Sequence, residues 1–174
     1  MKMKNILQVI AIALFIGIST QQIQAQITVN ARASAEVIPA LSATENAPLN
    51  FGRFSPETTG GEIRLAPDGV RSASGTVSLS GGSYNPAVFI ITGQNNAAVT
   101  ISLPSSAALL TNSVNGKTME INKWESFPPA GLGTGILNDG LFSLSVGATL
   151  KVGRMEDNPV GIYSGTYSIT FSYN

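Results

Sequence analysis

The side chains that perform most enzyme chemistry are scarce in this chain, which contains no histidine and no cysteine. Their absence excludes histidine acid–base catalysis, cysteine nucleophiles and most zinc sites. Serines are common, but no sequence pattern marks a base beside any of them. Pairs of carboxylates can hydrolyse glycosides. The candidates for such a pair are Glu120, Glu125, Glu156 and Asp157.

Each of these candidates also has a simpler interpretation. Glu120 and Glu125 lie near a loop rich in proline and glycine, where solvated carboxylates are common. The run Glu156-Asp157-Asn158 offers oxygens to calcium, but no acidic spacing repeats around it. Trp124, the single tryptophan, either contacts a glycan or belongs to the core or its rim. The sequence therefore predicts no enzyme, no cofactor and no metal site, and leaves a glycan contact at Trp124 open.

The N-terminus has the pattern of a secretory signal peptide. Lys2 and Lys4 precede an apolar run over residues 6–18, which is short for a bilayer span, and the small residue Ala25 follows. We therefore predict a signal peptide over residues 1–25, passage through the periplasm to the cell surface, and no other membrane-spanning segment. Removing Lys2 and Lys4 leaves 8 basic and 10 acidic side chains, a net charge of −2 that does not favour nucleic acid.

The elements that must position any functional residue are strands, and the last stretch of the chain is the clearest. Apolar and aromatic residues alternate there with serine and threonine, as in a strand with one buried face. No proline or lysine interrupts the stretch, so its backbone edge is free to pair with another strand. The predicted inward face consists of Tyr163, Gly165, Tyr167, Ile169, Phe171 and Tyr173.

The same alternation recurs through the chain, and helical spacing does not. Residues 142–152 predict one long strand or two strands broken near Gly147. Asn115-Gly116 predicts a hairpin between Leu109–Val114 and Lys117–Trp124. Residues 86–92 and 97–103 predict a second hairpin. Nine to eleven strands with turns between them indicate an all-β fold, an immunoglobulin-like antiparallel β-sandwich.

A second alternating stretch follows the signal peptide and ends before Pro39. It predicts a strand over Gln26–Val37 whose apolar face is formed mainly by small side chains. We therefore divide the mature chain into an N-terminal extension, residues 26–38, and a sandwich domain, residues 39–174. The apolar face of the extension consists of Ile27, Val29, Ala31, Ala33, Ala35 and Val37.

These two terminal stretches resemble those of fimbrial subunits of the chaperone–usher class. In that class the C-terminal strand has a glycine about fourteen residues from the end and a penultimate aromatic, positions held here by Gly161 and Tyr173. The resemblance implies a sandwich that lacks one strand. It implies that Gly161, Tyr163, Tyr167, Ile169, Phe171 and Tyr173 contact a chaperone or the next subunit, with residues 26–37 as the donor strand.

The chain is also similar to an uncharacterised family of pilin-like secreted bacterial domains. The phrases that carry this similarity are Leu49–Phe54, Pro67–Gly69, Val146–Val152 and the glycine–tyrosine repeat ending at Tyr167. Together the resemblances imply a structural subunit of a fimbria or pilus, with other subunits, a periplasmic chaperone and an outer-membrane usher as partners. The alternative is a monomeric secreted binding module for a glycan or a surface.

Overall fold

The computed structural model describes residues 26–174, and the predicted signal peptide lies outside the described residues. The chain divides before Val37, and the fold described below is that of residues 37–174. Within it, eleven strands and no helix confirm the all-β prediction, and every strand pair is antiparallel. No helix that could span a membrane occurs between residues 26 and 174.

The strands follow one another with short connections. They are β1 Ser42–Ala47, β2 Phe54–Leu65, β3 Arg71–Leu79, β4 Ala87–Thr92, β5 Ala98–Ser102, β6 Ala108–Asn112, β7 Thr118–Phe127, β8 Gly131–Ile136, β9 Leu141–Val152, β10 Tyr163–Ser164 and β11 Thr170–Tyr173. Eight of them form one sheet, in the order β1-β4-β9-β7-β6-β10 with the β2–β3 hairpin attached to β9. The other sheet has the order β11-β5-β8.

Strand β9 is the centre of the large sheet, and it shows that residues 142–152 form one strand and not two. Its first half pairs with β4 and its second half pairs with β2, while β7 runs along the opposite edge. The change of neighbour falls at Gly147, where a Cβ atom would lie 2.2 Å from the Leu65 carbonyl oxygen. A glycine is needed here because β2 approaches too closely for a side chain.

The inward face of β9 contributes to two hydrophobic cores. The closed core contains residues of both sheets: Ala87, Ile91, Val99, Ile101, Leu137, Phe142, Leu144 and Val146. The open core takes its strand residues from the large sheet alone: Phe51, Ile63, Leu65, Met119, Ile121, Ala148, Leu150 and Val152. The three-stranded sheet therefore contributes to the closed core and adds no residue to the open core.

Three sequence predictions about pairing are corrected. Residues 86–92 and 97–103 do not form a hairpin, because β4 pairs with β1 and β9 while β5 pairs with β8 and β11. The C-terminal stretch is two strands, because β10 pairs with β6 of the large sheet and β11 pairs with β5 of the small one. The predicted strand over Gln26–Val37 does not form in this chain, where residues 26–40 contain no strand and are all exposed.

Other predictions are confirmed. The hairpin at Asn115-Gly116 joins β6 to β7, with Thr111 opposite Thr118. In the C-terminal stretch Tyr163, Tyr167, Ile169, Phe171 and Tyr173 are half-buried, while the serines and threonines between them are exposed. The predicted inward and outward faces are therefore correct except at Gly165, which was predicted to face inward and is exposed.

Candidate functional site: an apolar groove above the open core

A groove of about 740 Å³ lies above the open core. One wall is the segment Leu49–Pro56, which leads into β2, and the other is the segment Pro159–Tyr167, which contains β10. The floor is apolar and belongs to the large sheet: Leu110, Met119, Ile121 and Leu150. The groove is therefore the place where the open core meets solvent.

The wall formed by residues 49–56 is held in place by Arg71, the first residue of β3. Its guanidinium donates to the Phe51 carbonyl oxygen at 2.8 Å and to the Ser80 carbonyl oxygen at 2.8 Å. The same guanidinium stacks 4.1 Å from the centre of the Tyr84 ring, a cation–π contact. This wall is thus held in place by β3 and the loop after it, through residues that do not line the groove.

The C-terminal wall lies flat against β6 because two of its residues are glycines. A Cβ atom at Gly161 would lie 2.2 Å from the Asn112 amide nitrogen, and one at Gly165 would lie 2.1 Å from the Leu109 carbonyl oxygen. Between them, the Tyr163 hydroxyl donates to the Pro159 carbonyl oxygen at 2.8 Å. The glycine–tyrosine repeat therefore combines close backbone approach with aromatic cover for the groove.

Beyond β10 the wall has backbone that no strand pairs. Residues 165–169 belong to neither sheet and have no ladder partner within residues 26–174. Their side chains keep the strand alternation, with Tyr167 and Ile169 turned inward. Unpaired extended backbone beside an apolar groove is the arrangement in which an added strand makes main-chain hydrogen bonds and fills pockets with alternate side chains.

Tyr167 lines the groove and packs on Trp124. The two ring centroids are 4.7 Å apart, and Trp124 packs against both cores. Burial raises the pKa of the Tyr167 hydroxyl to about 12, and the Glu45 carboxylate adds to the rise. The Tyr167 hydroxyl and the Trp124 indole nitrogen are both buried without a hydrogen-bond partner in the described part of the chain.

Trp124 is turned inward by an irregularity in β7. The register with β9 shifts between Asn122 and Glu125, and Lys123 has a left-handed φ of 49°. This bulge directs the Lys123 ammonium to the Glu62 carboxylate, 2.7 Å away, and places the indole between the cores. A glycan contact at Trp124 stays a prediction, but the indole nitrogen is not accessible for one.

Three of the four carboxylates singled out from sequence are engaged in side-chain contacts, and the fourth, Glu156, is exposed. Glu125 pairs with the Arg64 guanidinium through both oxygens, and Glu120 accepts a hydrogen bond from the Asn122 amide. Asp157 pairs with Arg154 at 3.3 Å. Asn158 is buried and binds backbone on both sides, through Gly153 N–H and the Thr118 carbonyl. No group of three acidic side chains that could hold a metal ion occurs among residues 26–174.

The structure divides the predicted interface residues into two sets. Gly161, Tyr163 and Tyr167 line the groove. Ile169, Phe171 and Tyr173 instead pack against the closed core. The predicted donor residues, Ile27, Val29, Ala31, Ala33, Ala35 and Val37, all lie in exposed chain without a strand partner.

Sequence reasoning missed half of the groove. In the wall at residues 49–56, the sequence singles out only the phrase Leu49–Phe54, through a family similarity, and it assigns the floor residues to no site. The phrase Leu49–Phe54 is the available signal, because it carries a family resemblance although no catalytic role was assigned to any of its residues. Its role becomes visible only when Arg71 and the C-terminal wall are brought beside it.

The architecture defines an all-β domain of antiparallel sheets, compatible with a β-sandwich. Residues 41–173 match the family described as a domain of unknown function (DUF4402), and the chain belongs to that family. The match covers the sandwich from the residue before β1 to the end of β11. No curated protein and no solved structure matches the chain.

Proposed function

We propose that this chain is a structural subunit of a cell-surface fimbria or pilus, assembled by donor strand exchange. The observation that carries the proposal is the groove: an apolar core left open between two walls, one of which ends in unpaired backbone that continues to residue 169. A strand added there would cover the groove floor and extend the layer that faces the large sheet over the open core. This is β-augmentation, in which backbone pairing supplies affinity and side chains supply register.

The donor is the N-terminal extension of another subunit. Residues 26–38 are exposed and have the alternation that a groove-filling strand needs, with Ile27 and Val29 at one end and Val37 at the other. Burying a branched apolar side chain of this size contributes about 1.5–3 kcal/mol, and the alanines between contribute less. An extension that inserts into the next molecule makes a heterologous contact, which does not close and so generates a fibre.

The remaining parts of the proposal follow from the resemblance and the signal pattern. A periplasmic chaperone would cover the groove before assembly, an outer-membrane usher would order the exchange, and the signal peptide would direct export to the cell surface. The groove suits such cover because its lining is apolar apart from a few polar residues and one charged side chain, Arg53. The proposed role is structural rather than catalytic.

A peptide titration tests the proposal. Residues 39–174 are titrated with a peptide of residues 26–38 and followed by thermal unfolding and by the fluorescence of the single tryptophan, Trp124. A peptide at a hundred times its Kd adds about 2.7 kcal/mol of stability and raises Tm by roughly 5–10 °C. The control peptide carries Val29→Asp, which puts a charge on the apolar face. Equal Tm shifts with both peptides, or none with either, would contradict donor strand exchange.

A further inference from the structure

The groove lies at one end of the sandwich domain. The root of the N-terminal extension, which we define as residues 38–41, lies at the opposite end. The chain enters the domain at Leu41, next to the turn at Gly93, and β1 then runs antiparallel to β4 until Asn50 bridges Asn85. Thr92 lies seven positions after Asn85 along β4 and its lead-in, which corresponds to roughly 23 Å at about 3.3 Å per residue. The groove begins only there, at Leu49–Pro56.

Tyr173 holds this root in place. Its hydroxyl donates to the Pro39 carbonyl oxygen at 2.9 Å and accepts from the Gln94 N–H at 2.8 Å. The ring passes so close to Gly93 that a Cβ atom there would lie 2.3 Å from the hydroxyl oxygen. One phenol therefore joins the end of β11, the turn between β4 and β5, and the first residues of the domain.

The root does not reverse direction. Residues 38–41 contain no turn, and the proline at position 39 restricts Ile38 before it to extended conformations. Val37, just outside the root, is an apolar side chain with 97% of its surface exposed. Fully extended, residues 26–38 reach roughly 43 Å at about 3.3 Å per residue, which is enough to run the length of a neighbouring domain.

We propose that Tyr173 is the positioning residue of assembly. It fixes the root of the extension at the end of the domain opposite the groove, so that the extension is offered to a second copy of this chain. This inference rests on the proposed function and deepens it, because it names the partner and the residue that orients the donor. Tyr173 acts through the Pro39 carbonyl and does not line the groove.

A purely structural role for Tyr173 predicts a different result from a positioning role, and a matched pair of variants separates them. Tyr173→Phe removes the hydroxyl from the root and leaves the groove lining intact. Tyr163→Phe removes a hydroxyl of the same kind from the groove wall, where it donates to Pro159, and leaves the root intact. Both are made in the mature chain, residues 26–174.

Two quantities are measured for each variant: the rate of self-assembly by light scattering, and the affinity of the groove for added peptide of residues 26–38. For Tyr173→Phe we expect about a tenfold slower assembly, since the net value of one or two hydrogen bonds is lost, with peptide affinity within about twofold of wild type. For Tyr163→Phe we expect affinity and assembly to fall together, by about three- to tenfold.

The outcomes separate the inference from the proposed function. Tyr173→Phe assembling at the wild-type rate, or losing affinity and assembly by equal factors, overturns the positioning role and leaves the proposed function standing. Wild-type chains that bind the peptide of residues 26–38 but do not assemble with one another overturn the second copy as partner. Wild-type chains that neither bind peptide nor assemble overturn the proposed function and this inference together.

Discussion

The inward side chains of the two halves of β9 lie on the same face of the sheet but pack into different hydrophobic cores. Leu144 and Val146 lie in the closed core, beneath residues of β5 from the second sheet. Leu150 and Val152 lie in the open core, where that sheet is missing and only two chain segments form the rim of a groove. One strand thus contributes to a core lined by both sheets at one end and to a core beside a groove at the other, and the difference locates the candidate site.

The largest expected effect compares two leucines on either side of this division. Leu144→Ala empties a fully buried position in the closed core and should lower the free energy of unfolding by about 2–5 kcal/mol. Leu110→Ala, on the half-buried groove floor, should cost about 1 kcal/mol in the free chain, because solvent already reaches the site. Denaturant unfolding measures both, and equal costs would contradict a distinction between closed and open cores.

Glycine substitutions sharpen the comparison at the C-terminal wall. Gly165→Ala drives a methyl group into the Leu109 carbonyl oxygen and should destabilise the chain by about 1–3 kcal/mol while weakening peptide binding. Gly81→Ala is the control, since nothing lies within 4 Å of its Cβ position, and it should change stability by less than about 0.5 kcal/mol. If the two variants unfold alike, the close contact between the wall and β6 is not needed.

The smallest effect is expected at alkaline pH. The pKa of Tyr167 is about 12 in the folded chain and about 10 when unfolded, so the unfolded chain loses this proton first. Its contribution to stability is therefore complete below about pH 10 and is lost as the pH rises through about 12. Tyr167→Phe should flatten this fall in unfolding free energy and remove a late component from the tyrosine absorbance titration. An unchanged slope would mean that Tyr167 is solvated.

Sequence patterns predicted those features that depend on neighbours along the chain. The inward face of Tyr163–Tyr173, the long strand β9 and the hairpin at Asn115-Gly116 follow from side-chain alternation and turn chemistry. The division of the C-terminal stretch between two sheets could not be predicted, because alternation is the same whichever sheet receives the backbone. The predicted hairpin of β4 and β5 was wrong for a related reason. A short turn can connect strands of two different sheets as easily as it joins neighbours in one sheet.

The groove was only partly predictable. Its C-terminal wall could be named from Gly161, Tyr163 and Tyr167, but the facing wall and the floor come from distant parts of the chain. The N-terminal extension shows that a correct alternation pattern does not by itself predict a paired strand. Alternation over residues 26–37 gives a preference for extended structure, yet a strand forms only when a second backbone supplies its hydrogen bonds.

The central claim is that the open core is completed by an added strand, and amide hydrogen exchange tests it most directly. Residues 39–174 are exchanged with and without the peptide of residues 26–38. We predict new protection at residues 165–169 and along the groove walls, with β5 and β8 beneath the closed core unchanged. Binding that leaves residues 165–169 as unprotected as before, or that protects the two halves alike, would contradict the account.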